Sequence, residues 1–352
     1  MDKSNFLIYG CYGYTGALIS KIAAEQGLRP ILAGRNADRV KEQAEKLGLD
    51  YRIFSLDNQT TVEEQIKDVQ VVIHCAGPFS HTAKIMMKAC MAVQTHYTDI
   101  TGEIEVFELG QHYNKKAKEA GIMVMPGTGF DVVPSDCLAM HLKNRMPDAT
   151  NLVLAFSGEG GRSSHGTANT AAENLGRGGA IRKNGKITKV PSSYEAREID
   201  FICGKRWASV IPWGDVSTAW FSTQIPNIKV FMSMPQKLIK KLKWADRLGW
   251  LLRTGPVQKF IKGRIQKMPA GPSEKQRSTA TSHFYGEVTN AKGEKMTTRM
   301  VSKEGYTLTA LAALNIAQKI MDGNLKVGYQ TPASAYGADL IMEIEGTKRE
   351  DN

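Results

Sequence analysis

Four side chains have the type and placement for acid–base chemistry, and one loop is bare enough to approach a phosphate. In "HYTDITGE", Tyr97 and Asp99 stand two apart, so on a strand they share a face. There Tyr97 is expected to donate a proton, with Asp99 orienting it or a substrate amine. In "GFDVVPSD", Asp131 falls at the end of a strand and is the carboxyl group to test first, while Asp136 reads as part of a helix's first turn. The competing role for each carboxylate is a turn or a cap. In "GRSSHGTANTA", a loop feeds a helix N-terminus, where Ser163, Ser164, His165 and Thr167 can present donors to a carboxylate or carbonyl. The His165 imidazole titrates near neutrality, so it is a fourth candidate proton donor.

The bare loop is "GCYGYTG", where Gly10, Tyr12, Gly13, Tyr14, Thr15 and Gly16 follow the apolar run Phe6-Leu7-Ile8-Tyr9. A strand, a glycine turn and then a helix place backbone N–H groups at the positive helix end, which suits a pyrophosphate. Gly10 would permit the tight turn, Gly13 the close approach of phosphate, and Gly16 close packing of helix on strand. The spacing is GxxGxxG rather than GxGxxG, so the loop needs its context to carry the reading.

The elements around it supply that context. Strands are expected at 5–9, 30–33, 51–56, 69–75, 95–100 and 122–125, with helices at 15–26, 38–47, 62–67, 81–93 and 103–120 between them. Continuous apolar runs alternating with helices predict a Rossmann-type, doubly wound parallel sheet covered on both faces. After Pro126 the character changes. A helix is expected at 134–142, and then "NLVLAFS", "REIDFI", "ASVIPW", "AWFSTQI", "IKVFMSM", "TSHFYGEVTN" and "EKMTTRMVSKEGY" read as strands of a largely antiparallel sheet, followed by a helix at 306–321. The expected division is a dinucleotide-binding domain at 1–130, with 325–352 returning to it, and a mixed α/β substrate domain at 131–324.

Two further positions define the ligand expected in that sheet. An NAD site wants a carboxylate at the end of the second strand to meet the ribose 2′-hydroxyl. Here "LAGRNADRV" offers Arg35, Asn36 and Arg39 instead, so a 2′-phosphate and hence NADP(H) is expected. At the end of the fourth strand, Ala76, Gly77, Pro78 and Phe79 are expected to line the path towards the nicotinamide, and His74 before them reads as a packed strand histidine. No tyrosine has a lysine four residues later, which disfavours an ordinary short-chain dehydrogenase.

Together, "YGCYGYTG", "LAGRN", "CAGPF", "THYTDITGE", "GTGFDVVPSD", "SSHGTANTA", "GPSEKQR" and "GYQTPASAYGADL" resemble the saccharopine dehydrogenase-like oxidoreductases. The "GYTG" loop is most similar to the trans-acting enoyl reductase branch. The resemblance runs over nearly the whole chain. It implies a Rossmann domain, an inserted α/β substrate domain, and NADP(H)-dependent reduction of a C=C or C=N bond in a small or lipid-linked substrate. The contrasting reading is an NADP-binding sensor or scaffold without turnover, since fold does not fix function.

Bulk properties narrow the setting. With 352 residues there is chain enough for two cores, and five scattered cysteines without a CxxC pair suggest reduced thiols in a cytoplasm. No histidine or cysteine pair has metal-ligand spacing, so no metal is expected. The net charge is +11, and eleven Lys or Arg against one acid, Asp246, fall between Lys229 and Lys267. This basic, apolar segment, 235–268, reads as a solvated lid, as a peripheral membrane contact, or as a dock for an acidic carrier or anionic substrate. Nucleic acid is not expected, because no aromatic platform accompanies the charge. A homodimer through the second domain's sheet is the expected assembly.

Overall fold

The computed structural model describes residues 5–160, 163–176, 178–245, 248–252 and 254–352. Gly161 and Arg162 of the histidine loop, and Asp246, Arg247 and Arg253 of the basic segment, lie outside the described residues. The chain divides into two compact units, Met1–Val133 with Tyr306–Tyr336, and Pro134–Gly305 with Gly337–Asn352.

The first unit is built on strands β1 (Phe6–Tyr9), β2 (Ile31–Gly34), β3 (Tyr51–Ile53), β4 (Val71–His74), β5 (His96–Asp99) and β6 (Met123–Met125). The helices between them are α1 (Tyr14–Glu25), α2 (Ala37–Leu47), α3 (Gln59–Ile66), α4 (Phe79–Val93), α5 (Ile104–His112) and α6 (Asn114–Glu119). A short strand, Gly328–Tyr329, joins beside β6, giving a sheet of seven in the order Gly328–Tyr329, β6, β5, β4, β1, β2, β3. Every pairing in it is parallel. The apolar runs explain this: β1, β2 and β4 are buried throughout, as strands covered on both faces must be.

Register sets where the loops emerge. Tyr9 pairs with Ala33 on one side and His74 on the other, and His74 pairs in turn with Asp99. The strand ends therefore align, and the segments after Tyr9, Gly34, His74 and Asp99 leave along one carboxyl edge.

The second unit carries a sheet in which Ala149–Glu159 is central, parallel to Asn227–Ser233 and antiparallel to Thr281–Asn290. Its other strand pairings are antiparallel. A small core of Ala155, Ile181, Ile199, Phe201, Ala208, Val210 and Phe231 sits against it.

Four expectations need correction. "AWFSTQI" reads as a strand but forms the helix Asp215–Thr223. Its aromatics imitate a strand, yet Asp215, Val216, Ala219 and Thr223 are buried at helical spacing, and Gln224 closes the helix in the left-handed region with φ 58°. The single helix expected at 103–120 is two, α5 and α6, divided at Tyr113. The first unit also takes back Tyr306–Tyr336 rather than 325–352. The reason is the helix Gly305–Met321, whose Ile320 and Met321 carbonyls accept from Gln70 Nε2 at 3.3 and 3.2 Å and whose Thr309 hydroxyl accepts from the Phe130 amide at 3.0 Å. Lastly, the tail stays with the second unit, because Lys348–Asp351 pairs with Lys295–Lys303.

Candidate active site

The glycine turn closes β1 onto α1. Gly10 takes φ +83°, a region that strains any side chain, and its N–H donates to the Ala33 carbonyl at 2.8 Å. A Cβ on Gly16 would collide with the Gly10 carbonyl oxygen, so this helix can sit so close to the turn only with glycine there. Gly13 is the N-cap of α1. No side chain caps this helix, and no acid lies in its first turn. The positive end of this helix therefore faces no capping side chain and no first-turn carboxylate, which suits a dinucleotide diphosphate. Tyr14, beside them, meets the Tyr306 ring edge-on at 4.9 Å.

The end of β2 is equally built. The Tyr12 ring lies over Gly34, where a Cβ would stand 2.6 Å from Cε1. The Arg39 guanidinium covers that ring at 4.7 Å from its centroid and donates to the Tyr12 carbonyl at 3.2 Å. Arg35 is exposed at the strand end. Asn36 spends its Oδ1 on the Arg39 amide at 3.0 Å as the N-cap of α2, which is a structural duty. Arg35 and Arg39 thus stand just after the β2 strand end, where an NAD site would carry a carboxylate.

At β4, His74 is buried among Tyr9, Phe79 and Tyr97. Its Nε2 lies 2.9 Å from Thr82 Oγ1, which itself donates to the Ala76 carbonyl at 2.8 Å, so Nε2 carries the proton. Burial pushes the imidazole down to about 3, which keeps it neutral and makes it a packed residue rather than an acid. The loop Ala76–Gly77–Pro78–Phe79 is pinned by a residue the sequence did not single out. Glu103 Oε1 and Oε2 accept from the Phe79 and Ser80 amides at 2.9 and 2.8 Å, capping α4 from the far side of the β5 loop. No local pattern announces such a cap, because donor and acceptor lie more than twenty residues apart.

Tyr97 and Asp99 meet as their spacing suggested: the phenol donates to Asp99 Oδ2 at 2.6 Å. Both are fully buried. Asp99 Oδ1 also accepts from the Thr101 and Gly127 amides at 2.9 and 2.8 Å, tying the ends of β5 and β6 together. Burial raises Asp99 to about 7 in spite of these donors, and burial, with Asp99 beside it, lifts the Tyr97 phenol far above its ordinary value. A phenol so held and so shielded is a clamp, not a proton donor to substrate. Asp131 differs. It is partly exposed, lies against Gly102, and is raised to about 7 by burial and then by the nearby Glu103 charge.

Comparison with known proteins places this geometry. Residues 6–125 match the family model described as the saccharopine dehydrogenase NADP-binding domain. The chain is 28% identical to the mouse saccharopine dehydrogenase-like oxidoreductase, over 96% of this chain and 94% of that one. It is 31% identical to a trans-acting enoyl reductase of Mycobacterium ulcerans (strain Agy99), over 42% of this chain and 39% of that one. The fold of an apo saccharopine dehydrogenase (L-Glu forming) from Saccharomyces cerevisiae superposes with TM-score 0.69 at 13% identity, covering 99% of this chain and 100% of that one. On these matches the chain is similar to saccharopine dehydrogenase-like oxidoreductases over nearly its whole length, and residues 6–125 are similar to their NADP-binding domain.

Beyond the NADP-binding domain, the second unit holds the remaining candidates. Ser164 is the N-cap of the helix His165–Asn174, accepting from the Thr167 amide at 3.3 Å, while Ser163 is exposed. His165 Nε2 lies 2.7 Å from the Met268 carbonyl and its amide donates to the Ala270 carbonyl, so this imidazole braces a loop. The fold also gathers Glu159, Cys203 and His283, whose ligand atoms lie within 4.8 Å of one another. No spacing in the sequence joins them, because three different strands and turns deliver them. Arg206 already holds Glu159 at 3.0 Å, and burial with the Glu159 charge raises the Cys203 thiol. A fixed guanidinium and a protonated thiol oppose a cation there.

Proposed function

We propose that the chain is an NADPH-dependent reductase of a C=C or C=N bond, with Asp131 delivering the proton. The observation that carries this reading is the pairing of two arginines at the β2 strand end with a partly exposed Asp131 that holds its proton up to near neutrality. When bound, the nicotinamide supplies a hydride to one atom of the double bond. The chain does the rest: the positive N-terminal end of α1 receives the diphosphate, and Arg35 and Arg39 distinguish the 2′-phosphate. Glu103 holds the Ala76–Phe79 loop in place beside the site. Asp131 gives its proton to the other atom of the bond.

Titration with NADPH and NADH, followed by NADPH oxidation against a panel of enoyl thioesters and cyclic imines, tests the proposal. Preferential NADPH binding with turnover of one class supports it. Equal affinity for both cofactors removes the role of the β2 corner. NADPH binding without oxidation by any member of the panel leaves a binding protein in place of the reductase.

A further inference from the structure

The basic segment is unlike the rest of the surface in a second respect. Among the described residues, twelve large apolar side chains are conspicuously exposed, and six of them (Leu238, Trp244, Leu248, Trp250, Phe260 and Met268) fall within this one stretch. Its Trp250, Phe260 and Trp244 are the most exposed of all, at 69%, 65% and 63%.

Local structure explains why they face outward. The helix Gln236–Ala245 buries Ile239 and half-buries Leu242, which leaves Lys237, Leu238, Lys240, Lys241 and Trp244 on the opposite side. The helix Gly255–Gln266 buries Ile265, and its Gln258 donates to the Ala172 carbonyl at 3.0 Å. That anchoring turns Lys259, Phe260, Gly263 and Arg264 to solvent. Each helix thus keeps a buried anchor on one side and carries a large exposed aromatic on another.

We propose that this face is a docking surface for an anionic lipid layer, with Trp244, Trp250 and Phe260 entering the headgroup region and the lysines meeting lipid phosphates. Charge selects the occupant. A second copy of the chain would bring the same cations against these and be repelled, whereas an anionic bilayer or monolayer complements both the charge and the aromatic rings. Tryptophan suits that boundary because its ring is apolar and its N–H still reaches water. No described helix is long and apolar enough to cross a membrane, so the contact is peripheral. The inference does not rest on the reductase reading.

The test uses the full chain with phosphatidylcholine vesicles, alone or containing phosphatidylserine. Flotation only with the anionic vesicles, weakening as salt is raised, is the expected result. Trp244→Ala/Trp250→Ala/Phe260→Ala should reduce partitioning by roughly tenfold or more, and so should Lys237→Glu/Lys240→Glu/Lys241→Glu. NADPH affinity should be unchanged in both, which shows that the variants are folded. No flotation, or flotation indifferent to lipid charge and to both variants, overturns the proposal. So does a concentration-dependent dimer that the aromatic variant dissolves while vesicles go unbound, because the face would then be a self-interface.

Discussion

At β1 and β2 the sheet edge presents bare backbone and guanidinium groups, whereas at β5 and β6 it presents two carboxyl groups, Asp99 fully buried and Asp131 partly exposed. The first corner needs no titration to work. Its N–H groups and arginines are charged or polar at any physiological pH, and glycine geometry alone determines whether a ligand can approach. The second corner is sensitive to protons, and within it Asp99 and Asp131 separate by access rather than by affinity. Both are raised to about 7, but Asp99 is fully buried under three donors while Asp131 is partly exposed. A shifted carboxyl group is thus a catalytic candidate only when its surroundings leave it an open side.

The sharpest way to break this contrast is Asp131→Asn. Turnover should fall by about a hundredfold or more, with NADPH affinity unchanged. In the native protein turnover should decline as pH rises through about 7, where Asp131 loses its proton, and the variant should lack that limb. A variant as active as the native protein would move the acid elsewhere.

Asp99→Ala should act on stability instead, costing roughly 3 kcal/mol or more in urea unfolding because the Thr101 and Gly127 amides and the Tyr97 hydroxyl all lose their acceptor. The sign of the pH dependence also follows. Asp99 goes from an ordinary 3.8 to about 7 on folding, so the folded state binds its proton more tightly. The stability this contributes is fully present below about 4 and is lost as pH climbs to about 7. Asp99→Asn should flatten the slope across that window, as read from unfolding midpoints.

At the other corner, Arg35→Ala should weaken NADPH by about 1.5–3 kcal/mol, the range for a hydrogen bond to a charged group, and leave NADH nearly unaffected. An equal loss for both cofactors would mean that Arg35 does not read the 2′-phosphate. The smallest effect belongs to Asn36→Ala, which should cost about 1 kcal/mol of stability through the lost α2 cap, with little change in cofactor preference.

These contrasts were unevenly legible in the amino-acid order. The turn, its helix and the β2 corner could be read directly, because each depends on neighbours a few residues apart and on glycine and arginine chemistry that few other residues imitate. The Tyr97–Asp99 contact was readable for the same reason, since two residues on one strand face must be close. Whether that pair sees water was not, because burial is set by the helices and loops that cover it. Glu103 and the Glu159, Cys203 and His283 cluster arise from segments far apart in sequence, and periodicity carries no trace of them. The helix Asp215–Thr223 misled for a different reason: Trp220 and Phe221 favour strands, and packing against the sheet overrode that preference.

The Glu103 cap has one more effect. The helices α1 and α4 both open along this edge, and the positive end of each attracts negative charge. Glu103 fills the berth at α4 with a carboxylate of the protein's own, whereas α1 has neither a capping side chain nor an acid in its first turn, so of the two it is α1 that still draws a phosphate.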